Sequence, residues 1–243
     1  MVDDPRSLFV IPTLDEGPTI EKAVSGVLDA GADVLVVDDG STDDTRDIVR
    51  RIAAARPGVH LLERGRKMGL GTAYRDGFAW GLERGYDALG EMDGDLSHNP
   101  ADVPHLMAGI RMADLAIGSR YVVGGGVEDW PLSRRVLSRG GNAYVRIWTG
   151  VGVRDATAGF RLYRREVLEA IELDTVRSDG YAFQIEMALR TWWAGFDILE
   201  VPITFTERRE GASKMSRAIV AEALWRVPLG ALRRRRARPA RRR

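Results

Sequence analysis

Short apolar runs alternate with segments of helical periodicity, and this alternation constrains the fold of the 243-residue chain more than any other feature. Each apolar run has the length of a buried strand, and each helical segment is long enough to connect two parallel strands. The pattern predicts an α/β protein with a mostly parallel, doubly wound sheet and helices on both faces. Strands are predicted at 8–11, 34–37, 59–62, 86–92, 115–117, 160–163 and 198–205, and helices beginning near 17, 42, 69, 102, 131 and 181.

Acidic residues follow three of the predicted strands, in residues 12–16, 38–41 and 93–95. Parallel strands place their carboxyl ends at one edge of the sheet, where α/β proteins bind ligands. Carboxylates there could accept hydrogen bonds from a nucleobase or a ribose. Each one taken alone is equally typical of a helix cap. The three together predict a ligand site at that edge.

Asp93 and Asp95 form the most specific part of this pattern, because two carboxylates stand one residue apart just after an apolar run. In an extended strand end, such residues point to the same side. Two oxygen ligands on one side suit a hard divalent cation, Mg²⁺ or Mn²⁺, and leave positions for substrate phosphate. Gly94 between them would let a ligand approach the backbone. The alternative is an ordinary strand-to-turn junction, where Asp and Gly are common.

Three further segments could line a ligand site. Arg134 and Ser138 lie four residues apart on a predicted helix, so they share a face that would suit a phosphate or would simply be solvated. The polar segment 207–215 carries three cations and would either fold over a diphosphate or form an exposed charged loop. Residues 155–160 read as a turn, either beside a pocket or only at a strand entry.

Several classes of protein are excluded by what the sequence lacks. The chain has no cysteine, which excludes disulfides and thiolate metal sites. Its three histidines lack zinc-ligand spacing, and Gly69 and Gly71 lack the third glycine of a dinucleotide fingerprint. No apolar run reaches the ~18 residues of a spanning helix, and no signal sequence begins the chain. We therefore expect a cytoplasmic location without export.

The positive charge is concentrated at the C-terminus. Eight arginines lie in 233–243, so the net charge of +1 divides into a body of −7 and a basic tail. Such a tail suits an anionic membrane or a nucleic acid, but the body lacks the basic, aromatic-interleaved surface of a nucleic-acid-binding protein. We predict one domain at 1–232, a disordered basic tail at 233–243, and no nucleic-acid partner. Within the domain, 215–232 has the apolar stripe of an interfacial helix, which would alternatively pack on the domain.

Seven motifs, taken together, resemble one known family. They occur in its order at 12–16, 38–45, 92–100, 118–121, 155–160, 180–187 and 207–215. The chain resembles the polyprenol (dolichol) phosphate mannose synthases, inverting family 2 glycosyltransferases with a GT-A fold. The resemblance extends from about residue 8 to residue 225.

The resemblance implies Mg²⁺- or Mn²⁺-dependent transfer of mannose from GDP-mannose to a polyprenyl phosphate at the cytoplasmic membrane face. Implied partners are these two substrates, an anionic membrane surface, and a separate membrane-anchoring or downstream acyl- or mannosyltransferase protein. Two alternatives stay open: glucosyl transfer from UDP-glucose to the same lipid, and a catalytically silent sugar-nucleotide-binding subunit of a membrane complex. All the acidic and basic residues of the family motifs are present, which argues against a catalytically silent subunit.

The family motifs also imply roles for individual residues. The implied metal ligands are Asp93, Asp95 and Ser97. The acceptor phosphate would be bound by Arg120, Arg134 and Ser138, and the catalytic residues would be Asp95, Arg120 and Arg134. The donor would be bound by Pro12, Leu14, Glu16, Val37, Asp39, Asp93, Gly94, Asp95, Arg208 and Lys214.

Overall fold

A central sheet of seven strands is covered by helices on both faces in the computed structural model, which describes residues 5–206. The strands are Ser7–Thr13 (β1), Asp33–Asp38 (β2), Val59–Glu63 (β3), Ala88–Glu91 (β4), Leu115–Ser119 (β5), Gly126–Val127 (β6), Arg161–Arg164 (β7), Ile198–Pro202 (β8) and Thr204–Phe205 (β9). The helices are Gly17–Asp29 (α1), Thr45–Ala55 (α2), Leu70–Glu83 (α3), Val103–Gly109 (α4), Leu132–Thr149 (α5), Arg165–Ala170 (α6) and Gly180–Trp193 (α7), with 3₁₀ turns at Pro100–Asp102 and Leu173–Thr175.

The strand order is β3-β2-β1-β4-β7-β5-β8, and every pairing is parallel except the two made by β7. The prediction of a mostly parallel sheet is therefore confirmed. Because β7 is antiparallel, the turn that precedes it lies at the same edge as the carboxyl ends of its neighbours β4 and β5. The acidic strand ends and the 155–160 turn thus meet at one edge.

Alternate residues of the central strands supply two separate cores. Leu8 and Val10 of β1 face one core, which is completed by α3, α6 and α7. Phe9 and Ile11 face the other, completed by α1, α2 and α4. Since both faces of the sheet are covered, β1 and β2 carry continuous apolar runs, Leu8–Ile11 and Val34–Val37, rather than alternating residues. No helix within residues 5–206 has the length and apolar character needed to cross a membrane.

The predicted strand at 198–205 is two strands. It breaks at Ile203, whose N–H donates to the Ser119 carbonyl (3.1 Å) while its carbonyl accepts from Gly126 (3.0 Å). Before the break, β8 ends at Pro202 on the sheet edge, as expected for a residue without a backbone donor. After the break, β9 pairs with β6 in a small second sheet. The sequence pattern could not show this change of partner.

Helix α3 approaches β1 closely because Gly77 has no side chain. A Cβ at Gly77 would lie 2.5 and 2.8 Å from the two methyl groups of Val10. We expect Gly77→Ala to lower the free energy of unfolding by about 1–3 kcal/mol through overpacking. The control is Gly140→Ala in α5, where a Cβ would meet nothing within 4 Å. There, improved helix propensity should add up to ~1 kcal/mol. Denaturant unfolding measures both, and equal effects would contradict the close packing.

Candidate active site

The acidic end of β2 is held by local hydrogen bonds. Asp38 is fully buried and accepts from the backbone N–H groups of Gly40 and Ser41, both at 3.0 Å, and from the Thr13 hydroxyl at 3.1 Å. Its other close partner is the Ser41 hydroxyl. Asp38 therefore fixes the ends of β1 and β2 against each other and presents no surface to a ligand.

Asp39 organises the segment after β3. The Arg64 guanidinium donates to one of its carboxylate oxygens, and the backbone N–H groups of Met68 (3.1 Å) and Gly69 (3.2 Å) donate to the other. The Arg64 side chain is 4% exposed and also donates to the Thr72 hydroxyl at 2.8 Å. Sequence reasoning missed Arg64, whose only signal is its position directly after β3. The predicted contact of Asp39 with a nucleoside stays a prediction.

The other predicted nucleoside contacts surround the ends of β1 and β2. Pro12 pairs with Val37 in the parallel register, and Val37 is fully buried, so it offers no side-chain surface. Pro12, Leu14 and Glu16 are half-buried. A donor placed here would therefore meet the β1 side chains and backbone more than the side chain of Val37.

Asp93 and Asp95 do not belong to a strand end, contrary to the expectation, because β4 stops at Glu91. The pair lies in the turn that follows, in which Leu96 adopts a left-handed conformation at φ 61°. Ser97 closes the turn by donating its N–H (2.9 Å) and hydroxyl (2.6 Å) to Asp95 Oδ1. The hydrogen bonds of the turn, and not strand geometry, therefore set where these carboxylates lie.

The donor chemistry of this turn fits a hard divalent cation. The Asp93 side chain is 32% exposed and Asp95 is half-buried, so a small ion could reach both carboxylates. Within residues 5–206, no three His, Cys, Asp or Glu side chains converge as a complete metal site. Mg²⁺ is usually held by one or two protein carboxylates, and substrate phosphates and water supply its other ligands. Two carboxylates are therefore enough for such a site. The Ser97 hydroxyl faces Asp95, and its predicted role as a ligand stays a prediction.

A neutral histidine lies beside Asp93. His98 is 2% exposed and stacks on Phe160 with ring centroids 5.2 Å apart. Burial lowers the pKa of His98 to about 4, so the imidazole carries no charge near neutral pH. Its Nδ1 lies 3.9 Å from Asp93 Oδ2. A Cβ at Gly159 would lie 3.9 Å from the same oxygen, so the turn before β7 comes close to the acidic turn.

Arg120 follows β5 and forms a buried pair with Asp155. Its Nε and one terminal nitrogen donate to the two carboxylate oxygens at 2.7 and 2.6 Å, and its backbone N–H donates at 3.0 Å. Arg120 is 5% exposed and Asp155 is fully buried. Burial acts to lower the pKa of the Arg120 guanidinium, but the Asp155 carboxylate outweighs that effect and raises it. The sequence did not show that Asp155 engages this arginine.

The predicted acceptor-phosphate residues gather around two aromatic rings. The Arg134 guanidinium lies 4.1 Å from the Trp130 ring centroid, and that of Arg120 lies 5.4 Å from it. Tyr121 donates to the Ser138 hydroxyl oxygen at 2.6 Å, which leaves the hydroxyl hydrogen of Ser138 for another acceptor. The structure thus brings together three residues that the sequence separates by up to 18 positions.

Tyr181, to which sequence reasoning assigned no role, is influenced electrostatically by this basic cluster and by Asp93. Burial raises the pKa of Tyr181, Arg120 and Arg134 act against that shift, and Asp93 adds to it. The side chain of Arg134 is hydrogen-bonded to the Tyr181 hydroxyl. Since the guanidinium can only donate, this bond does not use the hydroxyl hydrogen of Tyr181.

A second arginine that sequence reasoning missed holds the turn before β7. Arg161 is fully buried and donates to the carbonyls of Ala156, Ala158 and Gln184, each at 2.8 Å. It faces Glu91 across the β4–β7 register. Arg161 therefore fixes the turn that carries Asp155, and through it the position of Arg120. In sequence, Arg161 stands next to apolar strand residues, which was only a weak sign of a buried position. Arginine is rarely buried, so an exposed side chain was the more usual expectation.

Some predicted residues lie outside the described part of the chain. These are Arg208 and Lys214, the helix at 215–232 and the tail at 233–243. Their roles stay predictions.

Sequence comparisons with a family model and with individual proteins indicate the same family. Residues 8–172 match the model of glycosyl transferase family 2. The undecaprenyl-phosphate mannosyltransferase of Micrococcus luteus is 51% identical over 221 residues, which cover 90% of this chain and 91% of that protein. The polyprenol monophosphomannose synthase of Mycolicibacterium smegmatis is 50% identical over 226 residues, which cover 91% and 85%. The resemblance inferred from the seven motifs is confirmed.

Solved structures share the fold. Glucosyl-3-phosphoglycerate synthase of Mycobacterium tuberculosis, solved with Mn²⁺, UDP and glucosyl-3-phosphoglycerate, superposes with a TM-score of 0.64 at 21% identity, over 97% of this chain and 81% of that one. A mannosyltransferase of Pyrobaculum calidifontis, solved with GDP-Man and Mn²⁺, gives 0.62 at 20% identity, over 96% and 65%. These likenesses agree with the doubly wound sheet and establish the GT-A fold. The chain therefore belongs to glycosyl transferase family 2 and is a glycosyltransferase.

Proposed function

We propose that this protein transfers mannose from GDP-mannose to a polyprenyl phosphate, with inversion and with the help of Mg²⁺ or Mn²⁺. The observation that carries the proposal is the placement of Arg120, Arg134 and Ser138 in one cluster close to Asp93. The Phe205 ring joins the two, because it lies 5.5 Å from the Arg120 guanidinium and 5.3 Å from the His98 ring, whose Nδ1 is 3.9 Å from Asp93 Oδ2. An acidic site for a sugar nucleotide and a basic site for a second anion then lie side by side. This arrangement suits a phosphate acceptor better than a sugar hydroxyl.

The named relatives support the same substrates. Two proteins about half identical to this chain are called mannosyltransferases or synthases that act on undecaprenyl phosphate or polyprenol. The choice of GDP-mannose rests on the family motifs, and the Pyrobaculum protein that shares the fold was solved with GDP-Man.

The chemistry follows from the charge of the acceptor. A phosphate monoester has a second pKa of about 6, so it is already a nucleophilic dianion at neutral pH and needs no strong general base. Arg134 and the Ser138 and Tyr181 hydroxyls would orient this anion, and Arg120 would add positive charge from its fixed position. His98, neutral and buried, is unsuited to a charge-based role.

Asp93 and Asp95 would hold the cation. A Cβ at Gly94 would lie 3.3 Å from a methyl group of Ile11, so this glycine lets the turn pack against β1, and any contact with the diphosphate would be through its backbone. The bound cation would supply charge stabilisation of the departing GDP. Asp95 is kept in place by Ser97, so the carboxylate is oriented before any ligand binds. We also propose that Arg208 and Lys214 bind the phosphates of the donor.

Helix α5 gives physical support for a lipid-bound acceptor. Leu132, Val136 and Ile147 share one face of this helix and are 76%, 63% and 78% exposed. The same helix carries Arg134 and Ser138. Large apolar residues so exposed mark an interaction surface. Arg134 and Ser138 lie on the opposite side of α5, so a bilayer in contact with the apolar face would lie about one helix diameter, roughly 10 Å, from the acceptor-phosphate residues. We propose that this face of α5 docks the protein peripherally on a membrane, and the resemblance to the polyprenol phosphate mannose synthases implies the cytoplasmic side.

The test of the proposed function is a transfer assay. Purified full-length protein is incubated with Mg²⁺, a polyprenyl phosphate and either radiolabelled GDP-mannose or UDP-glucose, and label is counted in the organic extract. We expect label from GDP-mannose, and none from UDP-glucose, to appear in the organic extract. Label from UDP-glucose alone would make the protein a glucosyltransferase, and label from neither would favour a silent sugar-nucleotide-binding subunit.

Membrane binding makes a separate prediction. Ile147→Glu should weaken sedimentation with anionic liposomes, because it places a charge on the exposed face of α5. Met112→Glu is the matched control, since Met112 is 82% exposed but lies beyond α4. Deleting 233–243 should remove a salt-sensitive part of the binding, worth roughly 1 kcal/mol per arginine near the surface. If neither change, nor salt, alters sedimentation, the membrane contact lies elsewhere.

A further inference from the structure

We propose that the indole N–H of Trp130 is a further hydrogen-bond donor to the acceptor phosphate, beside Arg134 and Ser138. The proposal rests on the function proposed above and deepens it. It adds a neutral donor to a site otherwise assigned to charged groups and hydroxyls. Trp130 lies in the irregular segment between β6 and α5, and none of the motifs singled out in the sequence contains it.

The first argument is the missing partner of the indole. Trp130 is 6% exposed, and its Nε1 is buried without a hydrogen-bond acceptor among the residues that the structure describes. The indole nitrogen can only donate, so no rearrangement of its own proton satisfies it. Buried polar groups are satisfied in the large majority of cases, and a buried donor left unpaired is destabilising. An acceptor atom from a ligand would remove this penalty.

The second argument is the charge around the ring. Arg134 lies over the ring at 4.1 Å, and Arg120 lies 5.4 Å from the ring centroid. Arg120 is held in this position by its ion pair with Asp155. Two guanidinium groups beside an unpaired N–H favour an anionic acceptor over a neutral one. A phosphate bound by these arginines would be that acceptor.

The third argument is that Trp130 is held in place before any ligand binds. Its carbonyl accepts from Arg135 Nε at 3.1 Å, and its ring meets the edge of Phe205 at 5.5 Å and 72°. Asp129 before it has φ 58°, and Pro131 after it forms the N-cap of α5. A donor fixed in this way can bind an anion without loss of side-chain freedom.

The decisive measurement is the indole N–H resonance of Trp130. Full-length protein labelled with ¹⁵N-tryptophan is titrated with farnesyl phosphate, a short prenyl monophosphate, with inorganic phosphate, or with GDP. Trp130→Phe assigns the resonance, because it keeps an aromatic ring at this position and removes the indole N–H together with the five-membered ring. Should that variant not fold, replacing the other five tryptophans in turn assigns the same peak in a protein that keeps Trp130.

We expect farnesyl phosphate to move the Trp130 indole proton downfield to saturation, inorganic phosphate to move it in the same direction more weakly, and GDP to leave it in place. Trp130→Phe should raise KM for the prenyl phosphate about tenfold, as expected for the loss of a hydrogen bond to a charged group, with unchanged GDP affinity. Trp148→Phe, at a position 51% exposed on α5, is the control and should change neither.

Three results would overturn the proposal. If calorimetry detects farnesyl phosphate binding while the Trp130 resonance stays in place, the indole is not a ligand, and the proposed function still stands. If GDP alone moves the resonance, Trp130 belongs to the donor site. If the wild-type protein neither binds farnesyl phosphate nor transfers mannose to a polyprenyl phosphate, the proposed function fails, and this proposal fails with it.

Discussion

Replacing Asp95 by Ala is expected to abolish nearly all turnover and leave the fold intact. Asp95 lies in a turn outside both apolar cores and accepts hydrogen bonds from the N–H and hydroxyl of Ser97. Loss of one of the two carboxylates should weaken Mg²⁺ or Mn²⁺ binding and remove charge stabilisation of the departing diphosphate. Loss of a group of this kind lowers kcat by on the order of 10²–10³-fold.

Three measurements separate this result from misfolding. Calorimetric titration with Mn²⁺ and GDP should show weaker metal binding in Asp95→Ala, and thermal unfolding without metal should match the wild type. Asp47→Ala is the control, because the Asp47 side chain is 81% exposed on α2 and pairs with Arg50. Full transfer activity in excess EDTA would show that the carboxylates serve another purpose.

Replacing Arg120 is expected to cost stability as well as acceptor use. Arg120→Met leaves the Asp155 carboxylate, which is fully buried, without its counter-charge. Breaking a buried ion pair by removing one partner lowers the free energy of unfolding by about 3–5 kcal/mol. An assay of Arg120→Met alone would therefore mix a loss of phosphate binding with a partial loss of fold.

A double-mutant cycle resolves the two effects. Asp155→Asn still offers an oxygen to the Arg120 backbone N–H, which donates to Asp155 at 3.0 Å. We expect Arg120→Met with Asp155→Asn to be more stable than the sum of the single changes by about 0.5–3 kcal/mol, the usual coupling of contacting residues. In the double variant, KM for polyprenyl phosphate should rise far more than the Kd for GDP. Additive stabilities would contradict the buried ion pair, and equal losses for both ligands would place Arg120 outside the acceptor site.

The same pair predicts a direction of pH dependence. Burial acts to raise the pKa of Asp155, but the charge and hydrogen bonds of Arg120 outweigh it and lower that pKa. The unfolded state then binds the proton more tightly. The stability contributed by the pair is present above the ordinary carboxyl pKa of about 3.9 and is lost as the pH falls through the lowered value. In Arg120→Met this acid-dependent loss should be smaller.

The sequence by itself determined the fold class and the edge of the sheet at which the site lies. A helical periodicity of 3.6 residues and an apolar run of strand length both depend only on residues close together in the chain. The positions of β1, β2, α3 and α5 could therefore be predicted from sequence. Gly140 and Gly141 did not interrupt α5, since its bounds, Leu132–Thr149, match the predicted helix closely. The carboxyl ends of parallel strands necessarily meet, which brought Asp39 and Asp95 to one edge.

Only the tertiary structure decided which charges are already paired and which remain for a ligand. Asp38 and Asp39 look alike in sequence, yet one holds strand ends and the other binds Arg64. Arg120 and Asp155 lie 35 positions apart, and their pairing requires the antiparallel entry of β7 beside β5. Pairing of buried charges depends on distances between chain segments, and local periodicity carries no information about those distances.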